Sequence, residues 1–374
     1  MSKTEKPRVA VFVGTRPEII KMCPVVQALQ SDEEFEFLFV HTGQHYDWSI
    51  SERFLQELVL PTPDFFLNVR SGTHGHQTAR IIEESERVLI KAAPSIVLVE
   101  GDTNSSLGVS LASSKLNIPI AHVEAGCRSF DNTMPEEINR KMIADCCSLN
   151  FAPTRQCVRN LKGEGIPPDM VYFTGHPIVD LFLMMKPAIQ NASVLRECGI
   201  DPENYALLTV HRQENTDDRQ RLRSILKGIS SLPVPVIFPI HPRTKKRIGQ
   251  YHLSRFLKHV VVTPPLGYVD TLSLIENGAV VLTDSGGMQQ ESYLLRTPCV
   301  TLRETTEWME TVRSGMNFLA GSTSFEITRT VKEVLKVRDT FRKRRLSDCF
   351  GRGDATRKIL RIVKKFCGNM AESR

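Results

Sequence analysis

Val9-Ala10-Val11-Phe12-Val13-Gly14-Thr15-Arg16-Pro17-Glu18 runs directly into Ile19-Ile20-Lys21, the start of a stretch with helical spacing that reaches Gln30. Five apolar residues, a glycine turn and an amphipathic segment together read as a buried strand feeding a helix. The same grammar recurs along the chain. Apolar runs appear at Phe35–Val40, Ser95–Val99, Ile118–Val123 and Leu149–Phe151, then at Leu207–Val210, Val234–Ile240, Val260–Val262, Ala279–Leu282 and Cys299–Leu302. Amphipathic stretches such as Gln77–Lys91, Gln220–Ser230 and Thr271–Glu276 lie between them. Strands alternating with helices call for parallel sheets covered on both faces. Two series of about five strands each predict an α/β protein of two Rossmann-like, doubly wound domains.

The length agrees, because 374 residues exceed the roughly 100–200 of one ordinary domain. The boundary is expected near Gly175-His176-Pro177, since Met184 to Pro202 reads as helix-poor, polar and proline-bearing. The expected domains are residues 1–178 and 179–352, with 353–374 forming a C-terminal helix that packs back on the first domain.

Hydrophobic residues make up 41% and charged residues 24% of the chain, a globular balance that excludes a disordered one. No run approaches the roughly 20 apolar residues of a membrane span, and no export signal is visible, so a cytoplasmic protein without membrane attachment is expected. Nine cysteines show no zinc spacing and no CxxC, which fits reduced thiols. His41/His45 and His74/His76 lack a clear third ligand, so no metal is expected. The net charge of +6 is concentrated at the end: Arg329 to Lys365 holds 14 Lys/Arg against 4 Asp/Glu. Ile359, Leu360, Ile362, Val363 and Phe366 follow a helical rhythm there, so these cations read as the solvated face of helices rather than a nucleic-acid site.

In open parallel sheets, ligands sit beyond the carboxyl ends of the strands. The loop Gly14 to Glu18 offers a helix N-terminus, with Arg16 and Lys21 as cations suited to a diphosphate; without GxGxxG it does not read as an NAD site. Glu100-Gly101-Asp102-Thr103-Asn104 places acids just past a strand. His122-Val123-Glu124-Ala125-Gly126 and Pro135-Glu136-Glu137-Ile138-Asn139-Arg140 add three more carboxylates. A solvated helix start accounts for Glu136 and Glu137, but not for Glu124 at an apolar strand end, where an unpaired carboxylate is costly. Crowding with Asp102 is expected to raise at least one carboxyl pKa toward neutrality, fitting it for proton transfer. The second half supplies His211-Arg212, His241-Pro242-Arg243 and Thr283-Asp284-Ser285-Gly286-Gly287. Ser285, Gly286 and Gly287 open a helix and present N–H groups to phosphate, and Glu291 lies within reach for ribose hydroxyls. The ligand expected is an anionic nucleotide.

These strings occur together, in order, with Gly43-Gln44-His45, and over residues 9 to 321 the chain resembles the non-hydrolysing UDP-N-acetylglucosamine 2-epimerases. The resemblance implies a GT-B-like fold with two domains facing a cleft, usually a homodimer. It implies interconversion of UDP-N-acetylglucosamine and UDP-N-acetylmannosamine through a 2-acetamidoglucal, without metal or NAD, supplying cell-surface polysaccharides. The family's catalytic acids fall on Asp102, Glu124 and Glu136, with His211 in support. Its UDP and substrate contacts fall on Arg16, Lys21, Arg140, Ser285, Gly286, Gly287 and Glu291. An allosteric site for the substrate, present in some relatives, falls on Gln44, His45, Gln77, Arg212 and His241. Trp308-Met309 stands where many members carry Arg-Pro, and Gly175-His176-Pro177 where Gly-Asn-Thr is common. Gly72-Thr73-His74-Gly75 is like the branch acting on UDP-2,3-diacetamido-glucuronate, which leaves that sugar as an alternative. A hydrolysing 2-epimerase, a glycosyltransferase and a catalytically silent nucleotide-sugar sensor are the other readings.

Overall fold

A computed structural model describes residues 6–44, 54–199 and 201–372. The chain divides into two compact units, Met1–Leu183 with Asp348–Arg374, and Met184–Ser347.

The first unit is built on a parallel sheet of seven strands: β1 (Arg8–Val13), β2 (Glu36–His41), β3 (Phe65–Phe66), β4 (Ile96–Glu100), β5 (Ile120–Val123), β6 (Leu149–Ala152) and β7 (Val171–Phe173), in the order β3-β2-β1-β4-β5-β6-β7. The connecting helices are α1 (Arg16–Ser31), α2 (His74–Ala92), α3 (Asn104–Lys115), α4 (Pro135–Cys146), α5 (Arg155–Gly163) and α6 (Pro177–Gln190). Val9, Ala10, Val11 and Val13 are wholly buried, as are Ile96, Val97, Leu98 and Val99 of β4, because helices cover both faces. Phe12, Val97, Val99, Ile81, Val109 and Ile143 belong to one continuous core. The order reverses between β1 and β4, so the loops after these two strands flank the switch point where doubly wound sheets bind ligands.

The second unit repeats the plan with β8 (Ala206–Thr209), β9 (Val236–Pro239), β10 (Val260–Thr263), β11 (Val280–Thr283), β12 (Cys299–Thr301) and β13 (Asn317–Leu319), all parallel, in the order β10-β9-β8-β11-β12-β13. Its longer helices are α7 (Arg219–Ile229), α8 (Pro242–Gln250), α9 (Tyr268–Glu276), α10 (Gly286–Leu294) and α11 (Ser324–Lys336). The switch point lies between β8 and β11. The last helix, α12 (Ala355–Glu372), belongs to the first unit, where it lies against α1.

Three differences from the sequence reading have physical causes. The sheets gain β3, β7 and β13, edge strands of two or three residues, too short to show an apolar run. The stretch expected to be helix-poor is helical: α6 continues to Gln190 through Pro187, which gives up one helical N–H bond near the C-terminal end, and Val194–Cys198 forms a further turn closed by left-handed Gly199. The passage between units falls inside α6, at Leu183/Met184. No described helix is long and apolar enough to cross a membrane, and all nine cysteines are free thiols.

Candidate active site

The first unit gathers charge behind the carboxyl ends of β1, β4 and β5. Glu18, in the first turn of α1, is buried and accepts the N–H groups of Gly14 (2.8 Å) and Thr15 (2.6 Å) and the hydroxyls of Thr103 (2.7 Å) and Ser106 (2.9 Å). It ties the loop after β1 to the loop after β4. One turn further along α1, Lys21 Nζ lies 2.9 Å from Glu100 Oε1 and 2.5 Å from Glu124 Oε2. Both carboxylates are nearly inaccessible, with side chains 1% and 6% exposed.

Their proton affinities diverge. Burial pushes the Glu100 carboxyl well above its usual range, against the pull of Lys21. Burial opposes ionisation of Glu124 as well, but Lys21, then the bond from His176, outweighs it and holds that carboxyl well below the usual range. Burial also disfavours the Lys21 charge, and the two carboxylates reverse the effect, so the ammonium keeps its proton. The crowded acid cluster therefore splits in proton affinity, with Glu100 raised and Glu124 lowered. Glu124 has left-handed backbone (φ 67°), strained for a non-glycine residue, and it lies two residues before left-handed Gly126. A Cβ on Gly126 would come 2.4 Å from the Cys157 carbonyl oxygen, so glycine is required there by both conformation and space.

The neighbouring elements complete the cluster. Arg140, buried on α4, pairs with Asp102 Oδ2 and with Glu137 Oε2 (2.8 Å). Asn139 donates to the Asp102 carbonyl at 2.8 Å. Glu137 accepts from the Ser129 N–H (2.9 Å) and hydroxyl (3.0 Å), fixing the loop that leads into α4. His122 is wholly buried; its Nε2–H donates to the Gly101 carbonyl at 2.7 Å, and burial lowers its pKa to about 4. Glu136 sits half-buried in the first turn of α4 and carries no hydrogen bond or ion pair among the described residues. Arg16 holds its guanidinium 4.2 Å over the Phe54 ring.

In the second unit the anchor is Asp284, fully buried after β11. It accepts the N–H groups of His211 (3.0 Å) and Arg212 (3.0 Å) and the Asn215 amide (3.0 Å), and its Oδ1 lies 3.1 Å from His211 Nδ1. Burial works against its charge, but His211 and these donors hold the carboxyl at about 2. His211 is thereby oriented by a buried anion while 44% of its side chain remains exposed. Thr209 and Thr283 join the ends of β8 and β11 through hydroxyls 2.7 Å apart. Ser285, Gly286 and Gly287 form the start of α10, which has no side-chain cap, so its first N–H groups and positive dipole end suit an anion. Packing at Gly286 is tight: a Cβ there would meet Glu307 Oε1 at 2.4 Å and Trp308 Nε1 at 3.2 Å, so the Glu307 carboxylate would have to shift. Trp308, the departure from the family string, is buried beneath this turn, and Glu307 pairs with Arg303 at 3.0 Å. Glu291 is buried in the second turn of α10.

The expected residues thus assemble within each unit. Asp102, Glu124, Lys21, Arg140 and Arg16 lie around the switch point of the first sheet, with Glu136 in the first turn of α4 joined to none of them by a hydrogen bond or ion pair among the described residues. His211, Ser285, Gly286, Gly287 and Glu291 lie around that of the second. Lys21 is spent on Glu100 and Glu124, facing the carboxylates rather than solvent. Gln44 and Gln77 come together, with Gln77 Nε2 donating to the Gln44 carbonyl (3.1 Å) and Gln44 Oε1 accepting from the Ser105 N–H (2.9 Å) and hydroxyl (2.7 Å). His45 lies outside the described residues. The Arg212 guanidinium stands 3.7 Å from Glu307 Oε1, and the exposed His241 has its ring 6.2 Å from that of His211. Glu100, Glu137, His176 and Asp284 went without a role in the sequence reading, although each stands in a quoted string. Among the described residues no three His, Cys, Asp or Glu side chains group to hold a metal ion.

A family model described as UDP-N-acetylglucosamine 2-epimerase matches residues 27–364. The UDP-N-acetylglucosamine 2-epimerase of Methanocaldococcus jannaschii is 42% identical over 95% of this chain and 98% of its own. Its crystal structure in complex with UDP-N-acetylglucosamine and UDP superposes with a TM-score of 0.90 at 40% identity, covering 96% of this chain and 99% of that one. The UDP-2,3-diacetamido-2,3-dideoxy-D-glucuronate 2-epimerase of Pseudomonas aeruginosa is 37% identical over 96% of this chain and 99% of its own.

Proposed function

Because the chain belongs to the UDP-N-acetylglucosamine 2-epimerase family, we propose that it interconverts UDP-N-acetylglucosamine and UDP-N-acetylmannosamine by inverting carbon 2. The hydrogen on that carbon is not acidic, since no adjacent carbonyl stabilises a carbanion. Departure of UDP removes this difficulty. The C1–O bond breaks with its electron pair going to the diphosphate, and the electron-poor ring makes the C2 proton labile. Loss of that proton leaves a C1–C2 double bond, the 2-acetamidoglucal. Reprotonation from the other face and re-addition of UDP give the epimer.

The chemistry asks for two services. A leaving diphosphate needs fixed positive potential, which in the second unit the α10 N-terminus with Ser285, Gly286, Gly287 and the Asp284-anchored His211 can supply; in the first unit Arg16 is the cation assigned to the nucleotide. The C2 proton needs a base that is already ionised and an acid for the return. The observation that carries the reading is Glu124: an anion held by Lys21 at a strained strand end, beside the raised Glu100 and the Arg140-paired Asp102. Glu124 is assigned as the base, and Asp102 and Glu136 as the groups that handle the proton on the opposite face. Residues 353–374 complete the domain that carries these acids, and Glu291 serves the nucleotide. By the same family membership the working form is taken to be a cytoplasmic homodimer supplying cell-surface polysaccharide synthesis.

The test is incubation with UDP-N-acetylglucosamine in heavy water, followed by proton NMR. The expected product is UDP-N-acetylmannosamine with deuterium at carbon 2; free N-acetylmannosamine would point instead to the hydrolysing reaction. The Pseudomonas relative supports a second reading, epimerisation of UDP-2,3-diacetamido-glucuronate. An unchanged first substrate together with exchange in this one would establish it.

A further inference from the structure

His176 lies on the turn after β7 and is wholly buried. Its Nδ1 accepts the Ile178 N–H at 3.0 Å, which places the ring proton on Nε2. Nε2–H then donates to Glu124 Oε2 at 2.6 Å. Burial lowers the His176 pKa, so the ring makes this bond as a neutral donor.

The turn is built by the returning end of the chain. The His176 N–H donates to the Phe350 carbonyl at 2.8 Å, and the two rings meet edge to face, with centroids 6.4 Å apart. Gly175 and Gly351 pass so closely that a Cβ on Gly351 would lie 3.0 Å from the Gly175 Cα. Asp180 accepts the N–H groups of Ala355 (3.3 Å) and Thr356 (3.1 Å), capping α12. Residues 350–356 thus lock the segment that presents the imidazole.

Lys21 and His176 both engage Oε2 of Glu124, while Oε1 makes no bond among the described residues. An ammonium on a flexible stem fixes a charge but not the plane of a carboxylate; a second donor on a rigid ring fixes both. We propose that His176 is a positioning residue for Glu124, clamping Oε2 so that Oε1 is the oxygen presented to the C2 proton. In the forward step the C2–H bond breaks, its proton goes to Oε1, and its electron pair forms the C1–C2 double bond as UDP departs. His176 keeps its own proton throughout. The inference rests on the functional reading above.

His176→Asn separates the two bonds. The asparagine carbonyl keeps the acceptor for Ile178 N–H, but the amide stops short of Glu124. The expected result is a kcat lowered by roughly tenfold or more, with KM changed by less than about twofold. The melting temperature falls modestly, since a buried donor is lost, and by a similar amount in the Gln variant; the primary isotope effect on kcat with C2-deuterated UDP-N-acetylglucosamine increases in the Asn variant. His176→Gln, whose longer amide reaches Glu124, recovers most of kcat. An Asn variant with kcat and isotope effect like the wild type overturns the positioning role while leaving the reaction intact. A loss that tracks a lowered melting temperature and is not recovered by Gln overturns it too. A wild-type enzyme that exchanges no deuterium at carbon 2 of this substrate overturns the functional reading, and this inference with it.

Discussion

Replacing Lys21 by Met probes the centre of the charge cluster. The ammonium lies 2.9 Å from Glu100 and 2.5 Å from Glu124, whose side chains are 1% and 6% exposed. Methionine fills the volume of the lysine stem, so the loss is electrostatic rather than a cavity. Two carboxyls are left facing each other with no cation between them. Removing one member of such a buried set costs about 3–5 kcal/mol. In a unit of roughly 200 residues each kcal/mol lowers the melting temperature by about 2–4 °C, so a drop of about 6–20 °C is expected at pH 7. Without Lys21 both carboxyls prefer the protonated form when folded, so their folded pKa values rise above the unfolded ones. Stability of that kind is present at low pH and lost as pH rises through the folded pKa. The deficit of Lys21→Met should therefore shrink between pH 8 and pH 5. Adding Glu100→Gln, which imitates the protonated Glu100, should recover part of the loss at pH 8. Thermal melts of wild type, Lys21→Met and the double variant at both pH values decide the matter. A drop below about 3 °C at pH 7, or one that is the same at pH 5 and pH 8, refutes the placing of Lys21 as the cation that stabilises both carboxyls.

His122 makes stability depend on pH in the opposite sense. Its pKa falls from 6.5 to about 4 on folding, so the unfolded chain binds more protons between these values. Stability rises with pH through that window and is lost as pH falls, by an amount on the order of 3 kcal/mol in full. Denaturant melts of His122→Gln should show a shallower pH dependence between 4 and 6.5, and an unaltered slope would remove His122 as its source. Asp284→Asn puts an amide where a carboxylate accepts N–H groups from His211, Arg212 and Asn215. UDP binding, measured calorimetrically, should weaken by roughly tenfold or more; an unchanged Kd would separate this acid from the nucleotide site.

The sheet architecture was legible in the amino-acid order because burial on both faces leaves uninterrupted apolar runs. Val9–Val13, Ile96–Val99 and Val280–Leu282 needed no tertiary information. β3 and β13 did, since a strand of two or three residues is defined by the neighbour it bonds to. Met184 to Gln190 reads as helix-poor because its proline and the polar residues beyond mask the apolar run Leu181–Met185, which carries α6 onward.

The site divides along the same line. Local sequence determined which loops follow strands and where glycines permit turns and helix starts, and hence that Asp102, Glu124, His211 and Ser285–Gly287 stand just beyond the carboxyl ends of strands. What each group does depends on partners distant in the chain. Lys21, Glu100, Glu124 and His176 meet because β1, β4, β5, β6 and β7 lie side by side in that order, and because residues 350–356 return to fix the turn after β7. Sequence position cannot show that Lys21 faces two carboxylates or that one oxygen of Glu124 is held by two donors. Proton affinity is set by burial and by charges a few ångströms away. Only the folded chain decides which of these acids stays an anion.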